Sequence, residues 1–225
     1  MRGTLSSFVM LAALAFATAA APKTPTSGAT AATTPAMAAP TPAGLDTATF
    51  AMGCFWCGES QFTKQPGVRS VTSGYTGGHK LHPTYEEVSS GTTGHYESVR
   101  VIYDPAKTSY ESLLDMFWHG VDPTQADGQF CDHGSQYRTA IFFHGTEQKR
   151  AAEESKKRVE EKLKTKVATG IVAAGIFYPA EAHHQDYARR NPAQYDLYRK
   201  GCGRDELLKQ IWGVAPREQP KESHP

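Results

Sequence analysis

Two cysteines separated by two aromatic residues are the part of this sequence best suited to chemistry. The segment Gly53-Cys54-Phe55-Trp56-Cys57 follows a short β-type run and opens a predicted helix, so we expect Cys54 at the helix N-terminus. Unpaired backbone N–H groups and the positive end of the helix dipole favour a thiolate at that position. Phe55 and Trp56 would form an apolar wall beside the sulfur. The segment therefore indicates a reactive thiol, while an inert thiol among core aromatic residues stays open as the alternative.

The cysteines as a set raise the question of disulfides. The chain has four of them, Cys54, Cys57, Cys131 and Cys202. An even number in an exported chain usually forms structural disulfides, but the close spacing of Cys54 and Cys57 at a helix start indicates reactive thiols instead. Cys131 adjoins Asp132, and we interpret it as a small buried apolar residue that lines the site. Cys202 lies between two glycines, which gives its segment local flexibility.

Hydrophobic periodicity and turn signals predict the elements that must position these residues. Strands are predicted at residues 47–52, 68–75, 95–103, 138–143 and 167–176. Helices are predicted at residues 54–64, 109–120, 147–164, 180–190 and 206–212. Because several connections are short and hairpin-like, we expect an α+β fold, a two-layer α/β sandwich with a mixed or antiparallel sheet. A doubly wound parallel fold is disfavoured because no glycine-rich phosphate loop follows the first strand.

Composition divides the chain into four segments. Residues 1–21 carry an apolar stretch about half as long as a membrane span, which predicts a cleaved signal peptide and export, in a bacterium to the periplasm. Residues 22–45, rich in Ala, Thr and Pro, predict a disordered linker. Residues 46–215 predict one catalytic domain, and residues 216–225 a disordered tail. We expect no stable membrane insertion.

The charge of the chain argues against several classes of partner. Its formal net charge is +1, with 24 Lys and Arg against 23 Asp and Glu, and the basic residues form no long blocks. Neither nucleic acid nor an anionic membrane surface is therefore indicated as a partner. We expect a small or peptide-like substrate and a monomeric protein.

A series of short motifs carries a family resemblance. In chain order they read GCFWC, HPTYEEV, SGTTGHYE, YDP, DPTQ, DHGSQYR and FYPAEAHHQDY. This series resembles the methionine sulfoxide reductase A family, whose signatures read GCFWG, NPTYEEV, SG.TGH.E, YDP, DPTQ, DxGxQYR and FYPAE..HQDY. The resemblance extends from about residue 48 to residue 192. It implies the family's α+β fold with a ferredoxin-like core, and reduction of the S epimer of methionine sulfoxide in proteins or as the free amino acid.

The resemblance also implies a role for each residue that matches a family motif. Cys54 corresponds to the nucleophile, and Glu97 to the acid that protonates the sulfoxide oxygen. Tyr85 and Tyr137 correspond to the phenols that hydrogen-bond that oxygen, and Asp132 to a supporting acid. These roles suit the reaction, because attack by a thiolate on the sulfoxide sulfur pushes charge onto oxygen, which must be protonated before it leaves. We expect an apolar surrounding to keep Glu97 neutral near pH 7.

The same resemblance implies a methyl pocket walled by Phe55 and Trp56, and a cycle closed by a second thiol. Attack leaves a sulfenic acid, which condenses with another cysteine to a disulfide that an external reductant opens. We favour Cys202 as this resolving cysteine; Cys57 is the rival, because it needs no loop motion, and Cys131 comes third. No bound cofactor is implied, and the electron donor would be a thioredoxin-like dithiol protein facing the same compartment.

Three other functions deserve comparison. Export and the Cys54-x-x-Cys57 pair are compatible with a thiol-disulfide oxidoreductase, although that function explains neither the acid nor the two tyrosines. A metal site built from Cys54, Cys57, His183 and His184 is disfavoured, because adjacent histidines on a helix cannot both face one ion comfortably; we expect no metal. A non-catalytic peptide-binding protein on the same fold would be expected to lack Cys54 or Glu97.

Overall fold

The computed structural model of the protein describes residues 41–213. The predicted signal peptide, residues 22–40 of the predicted linker and the predicted tail lie outside these described residues. No helix between residues 41 and 213 is both long enough and apolar enough to cross a membrane.

The described chain contains eight strands and seven helices. The strands are β1 (Asp46–Met52), β2 (Val68–Thr76), β3 (Tyr96–Tyr103), β4 (Gly128–Gln129), β5 (Asp132–His133), β6 (Thr139–Phe143), β7 (Gly170–Ala173) and β8 (Tyr178–Pro179). The helices are α1 (Phe55–Phe62), α2 (Tyr85–Ser89), α3 (Tyr110–His119), α4 (Thr146–Leu163), α5 (Tyr187–Arg190), α6 (Pro192–Gly201) and α7 (Arg204–Trp212). A short 3-10 turn spans Ser135–Tyr137.

Six of the strands form one mixed sheet. Their order is β7-β6-β1-β3-β2-β8, and all neighbours run antiparallel except β6 and β7, which are parallel. β4 and β5 form a separate two-stranded hairpin. The predicted α+β fold with a mixed sheet is confirmed, and β1, which ends just before Cys54, lies in the interior of the sheet.

One face of the sheet carries the main core. Because side chains alternate between the two faces of a strand, every second residue of the central strands points toward this core: Ala48, Phe50, Met52, Val99, Val101, Tyr103 and Ile141. Buried residues of α1, α3 and α4 pack against them. The opposite face carries a smaller cluster of Ala51, Ala140 and Phe142. The junction between β1 and α1 is thus held in place by β3 and β6 on either side of β1 and by the core beneath α1.

The C-terminal third of the chain differs from the sequence prediction. The helix predicted at residues 180–190 is wrong except for its last turn, because Ala180 N–H donates to Ser73 C=O (2.9 Å) and Asp186 adopts a left-handed φ of 57°. The strand predicted at residues 167–176 is reduced to β7. No helix is predicted between residues 190 and 206, but Pro192 begins α6 there. Proline is compatible with the first helical position, because it lacks only an N–H that would have no partner there.

Candidate active site

Cys54 lies at the junction between β1 and α1. It is the N-cap residue of α1 and its side chain is only 6% exposed. Gly53, just before it, has a φ of +78°, and a Cβ at this position would lie 2.6 Å from Cβ of Gln129. Only glycine combines this backbone angle with so close an approach, so Gly53 allows the chain to turn from the strand into the helix.

Burial changes the expected ionisation of the nucleophile. The pKa of Cys54 is raised well above its ordinary value, first by burial and then by the neighbouring Cys57. The helix N-terminus does not reverse this effect, because the Phe55 N–H at the start of α1 donates to Glu97 Oε2 (3.0 Å). Cys54 therefore rests as a thiol, in contrast to the thiolate that its helix position predicts.

Glu97 lies on β3 beside the start of α1. Its side chain is 2% exposed, and burial raises its pKa to about 8, although the hydrogen bond from Phe55 N–H acts in the opposite direction. Because the carboxyl group holds its proton through neutral pH, it is suited to donate one. The expectation of a neutral Glu97 in an apolar surrounding agrees with this geometry.

Two phenols lie close enough to Cys54 and Glu97 to be affected by their charges. Tyr85 is the first residue of α2, and Tyr137 ends the 3-10 turn before β6. Burial raises the pKa of both phenols, and ionisation of Glu97, Cys54 or Asp132 would raise it further. Both hydroxyls therefore stay protonated and serve as hydrogen-bond donors at one site.

Glu181 fixes the position of Tyr85. One of its carboxylate oxygens accepts from the backbone N–H of Tyr85 (2.9 Å), and the other accepts from the hydroxyl of Tyr75 on β2 (2.8 Å). A capping box formed by Thr84 and Glu87 completes the start of α2. Glu181 belongs to the late FYPAE motif, for which the sequence suggested no role; its role is to attach α2 to the sheet.

Asp132 is half-buried on β5 and contacts the C-terminal helices. The hydroxyl of Tyr198, on α6, donates a hydrogen bond to Asp132 Oδ2. Burial raises the pKa of the Asp132 carboxyl, while Tyr198, Arg204 and His133 lower it. The structure therefore brings Asp132 to the same site as Cys54 through Tyr198, a residue that sequence reasoning missed.

Aromatic rings surround the entrance to the thiol. Phe55 is buried against the ring of His184, with 5.1 Å between ring centroids. Trp56 stacks on Tyr187 at 3.7 Å, and its indole Nε1 donates to His184 Nδ1 (3.2 Å). His184 is 4% exposed, whereas the adjacent His183 is exposed. Phe55 and Trp56 thus form an apolar wall next to Cys54, fixed in orientation by His184 and Tyr187.

Cys57 lies one helical turn beyond Cys54 and is 1% exposed. A hydrogen bond from Cys54 and the positive charges of Arg204 and Arg199 lower its pKa to about 6, against the opposing effect of burial. Arg204 is itself 2% exposed and donates to the backbone carbonyl of Gly120 (2.6 Å). The buried pair thus holds a thiol at Cys54 next to a thiolate at Cys57.

The other two cysteines are bonded to each other. A disulfide joins Cys131 to Cys202, with 4.9 Å between their Cα atoms, and Cys54 and Cys57 are the free cysteines. The interpretation of Cys131 as a small buried apolar residue is wrong, because it is exposed. It follows Phe130, whose left-handed φ of 57° belongs to the two-residue turn between β4 and β5, and this turn directs the sulfur toward the end of α6.

The metal-binding alternative can be compared with the positions of possible ligands. Between residues 41 and 213, one set of three Cys, His, Asp or Glu residues has its donor atoms within 4.8 Å of one another: Cys131, Asp132 and Cys202. Its two sulfurs share a disulfide bond, whereas metals bind the thiolate form of cysteine. The set is therefore a disulfide next to a carboxylate.

Comparisons with known proteins agree with this geometry. A sequence model of the family described as peptide methionine sulfoxide reductase matches residues 46–215. The peptide methionine sulfoxide reductase MsrA of Bacillus licheniformis is 53% identical over 174 residues, which cover 76% of this chain and 96% of that protein. The MsrA of Bacillus subtilis is 51% identical over 169 residues, 74% of this chain and 96% of that protein.

Solved structures show the same fold. Methionine sulfoxide reductase A of Corynebacterium diphtheriae superposes with a TM-score of 0.65 at 35% identity, covering 67% of this chain and 77% of that one. Mxr1 of Saccharomyces cerevisiae in its reduced form gives 0.64 at 31% identity, covering 68% and 88%. The chain therefore belongs to the peptide methionine sulfoxide reductase A family, the enzymes that reduce methionine sulfoxide back to methionine.

Proposed function

We propose that Cys54 reduces the S epimer of methionine sulfoxide by direct attack on its sulfur. The observation that supports this most is the position of the Cys54 thiol beside Glu97, which accepts from the N–H of the next residue, Phe55. Glu97 is a buried carboxyl group that carries a proton at neutral pH. The sulfoxide oxygen passes to Cys54: thiol and sulfoxide become a sulfenic acid and methionine, with no atom or electron left over. Glu97 donates a proton to the oxygen as negative charge develops on it.

The remaining groups bind the substrate. Tyr85 and Tyr137 donate hydrogen bonds to the sulfoxide oxygen, which stabilises charge that grows during attack. Phe55 and Trp56 receive the S-methyl group, since an apolar wall suits a methyl and not the hydrated oxygen. Asp132 supports the site through Tyr198.

We propose Cys57, in preference to Cys202, as the thiol that resolves the sulfenic acid. Cys202 already forms a disulfide with Cys131, whereas Cys57 is free and lies next to Cys54 on the same helix. A hydrogen bond from Cys54 and the charges of Arg204 and Arg199 lower the pKa of Cys57, and a thiolate is the form that attacks an oxidised sulfur. Condensation of Cys57 with the sulfenic acid releases water and leaves a Cys54–Cys57 disulfide.

Mass mapping of a single turnover tests this function. One equivalent of a peptide containing methionine-S-sulfoxide, added without reductant, should yield one equivalent of methionine and a new Cys54–Cys57 disulfide, with the Cys131–Cys202 disulfide unchanged. Cys57→Ser should also yield methionine but leave a sulfenic acid on Cys54, which dimedone labels. A new disulfide to Cys202 would contradict the assignment of Cys57, and the absence of methionine would contradict the function itself.

The pH dependence of the chemical step should report Glu97. Burial raises the pKa of this carboxyl to about 8, and only its protonated form donates, so kcat/KM should fall as pH rises through about 8. Methionine formed by pre-reduced enzyme in a single turnover is the suitable measurement, because no external reductant contributes its own titration. The falling limb should be missing in Glu97→Gln; a rate in the unsubstituted protein that stays level above pH 8 would contradict the role of Glu97.

We also propose an electron donor and a location for the protein. A disulfide in the resting protein suits an oxidising compartment, which supports export to the periplasm by the N-terminal segment. The donor that opens the Cys54–Cys57 disulfide is then a thioredoxin-like dithiol protein in that compartment, and the enzyme uses no bound cofactor and acts as a monomer. An exported thiol-disulfide oxidoreductase is the second candidate function, favoured only by the Cys54-x-x-Cys57 pair; reduction of insulin at a rate above methionine formation would support it.

A further inference from the structure

Tyr198 extends from α6 into the active site. Its hydroxyl donates to Asp132 Oδ2 and also lies within hydrogen-bonding reach of the Cys54 sulfur. Its ring lies edge-on to Trp56, with 5.8 Å between the ring centroids. Tyr198 is therefore a third phenol at the site, in contact with the nucleophile itself, whereas Tyr85 and Tyr137 are placed to bind the sulfoxide oxygen.

The Cys131–Cys202 disulfide lies directly beside this contact. Cys202 follows Tyr198 by one helical turn, and its N–H donates to the Tyr198 carbonyl (2.9 Å). Cys131 precedes Asp132, and both cysteine sulfurs lie within 4.8 Å of an Asp132 carboxylate oxygen. Two adjacent links therefore join α6 to the β4–β5 hairpin: the Cys131–Cys202 disulfide and the hydrogen bond from Tyr198 to Asp132.

α6 buries little of its surface against the domain. Tyr195 is its only buried residue, so apolar burial contributes little to holding the helix against the hairpin. A covalent link between segments 71 residues apart in sequence restricts how far they can separate. The disulfide can therefore hold the Tyr198 side chain at the site, whereas packing alone would allow it to move away.

We propose that Tyr198 is a catalytic residue that hydrogen-bonds the Cys54 sulfur as its thiolate forms, and that the Cys131–Cys202 disulfide keeps Tyr198 in this position. A phenol has one proton to donate and two lone pairs to accept with. In the resting site the proton goes to Asp132, and the Tyr198 oxygen faces the thiol. When Cys54 ionises, the phenol turns its proton to the sulfur, which stabilises the negative charge in a buried position.

The inference rests on Cys54 as the proposed nucleophile, but its test needs no sulfoxide. The rate of Cys54 alkylation by iodoacetamide is measured against pH in a Cys57→Ser background, where Cys54 is the free thiol. The titratable groups that act on it in this background are Glu97 and Tyr198, and its own charge acts on Tyr85 and Tyr137. Failure of sulfoxide reduction with normal alkylation would contradict the proposed function and leave this inference intact.

Tyr198→Phe keeps the ring and removes the hydroxyl. We expect the alkylation rate of Cys54 at pH 7 to fall by roughly tenfold or more, the usual effect of losing a hydrogen bond to a charged group, and the midpoint of its pH profile to move upward. Tyr103→Phe is the matched control, because Tyr103 is a buried tyrosine whose hydroxyl also donates to a carboxylate, Asp46 Oδ2 (3.1 Å), on the other end of the sheet. An unchanged rate and midpoint in Tyr198→Phe, or equal losses in both variants, would overturn the proposal.

The disulfide is tested in the same assay. Cys131→Ser/Cys202→Ser should slow alkylation of Cys54, and Tyr198→Phe should add little to that loss, because both changes remove the same hydrogen bond. If the double variant folds poorly, a phosphine can open the disulfide in the Cys57→Ser protein instead. Mass spectrometry then measures the alkylation of each cysteine separately and gives the same comparison. Full reactivity of Cys54 after the disulfide is opened would overturn the part assigned to Cys131 and Cys202.

Discussion

Cys54→Ser should abolish methionine formation, with a loss of roughly 10³- to 10⁶-fold in kcat, the range typical of removing an activated nucleophile. A serine hydroxyl is far less acidic than a thiol and cannot form a sulfenic acid, so neither the attack nor the later disulfide is available to it. The measurement is methionine released from a methionine-S-sulfoxide peptide in the presence of excess dithiothreitol, which reduces any disulfide without help from a protein donor.

The same variant also separates loss of chemistry from loss of structure. Serine replaces one atom at a position where the thiol is 6% exposed, so the melting temperature should change little. Residual turnover within about tenfold of the unsubstituted enzyme, which corresponds to only about 1.4 kcal/mol, would mean that another group attacks the sulfur. The assignment of Cys54, on which the mechanism depends, would then be wrong.

Glu97→Gln should lower kcat by roughly 10²- to 10⁴-fold, the contribution expected of a general acid in the correct position. The amide oxygen of glutamine can still accept from Phe55 N–H, as Glu97 Oε2 does, so the geometry at the start of α1 is preserved. The amide cannot release a proton to the sulfoxide oxygen. KM should change much less than kcat, because the phenols that bind the oxygen remain.

Glu59→Gln is the matched control for Glu97. Glu59 is another buried carboxyl, 5% exposed on α1, and burial raises its pKa as well. It accepts from the backbone N–H of Asp186 (2.8 Å) instead of facing the thiol, and glutamine can accept the same bond. We expect near-normal turnover in this variant. Similar losses in Glu59→Gln and Glu97→Gln would indicate that replacing a buried carboxyl group by an amide disturbs the fold, and Glu97 would lose its role as acid.

Local sequence patterns predicted the parts of the fold that rest on local physics. β1 and β3 form where strands were predicted, although both strands are buried on both faces, and the apolar stripe predicted for α3 is its buried face. The helix predicted from residue 180 was wrong because the Ala180 N–H hydrogen-bonds to the Ser73 carbonyl on the sheet. This contact between distant parts of the sequence outweighed the local preference for helix. α6 was missed because Pro192 is compatible with both the end and the start of a helix.

The sequence by itself determined the family, the nucleophile candidate and the residues matched to its motifs, because these depend on residue types in a fixed order. Only the tertiary structure decided the ionisation of the thiols and the pairing of the cysteines. Burial, which depends on what packs around a group, raises the pKa of Cys54 together with the neighbouring Cys57. The pKa of Cys57 is lowered by Cys54 and also by Arg204 and Arg199, which lie far away in sequence. The disulfide between Cys131 and Cys202 likewise requires α6 to return to the β4–β5 hairpin, a contact between segments whose separation in sequence carries no local signal.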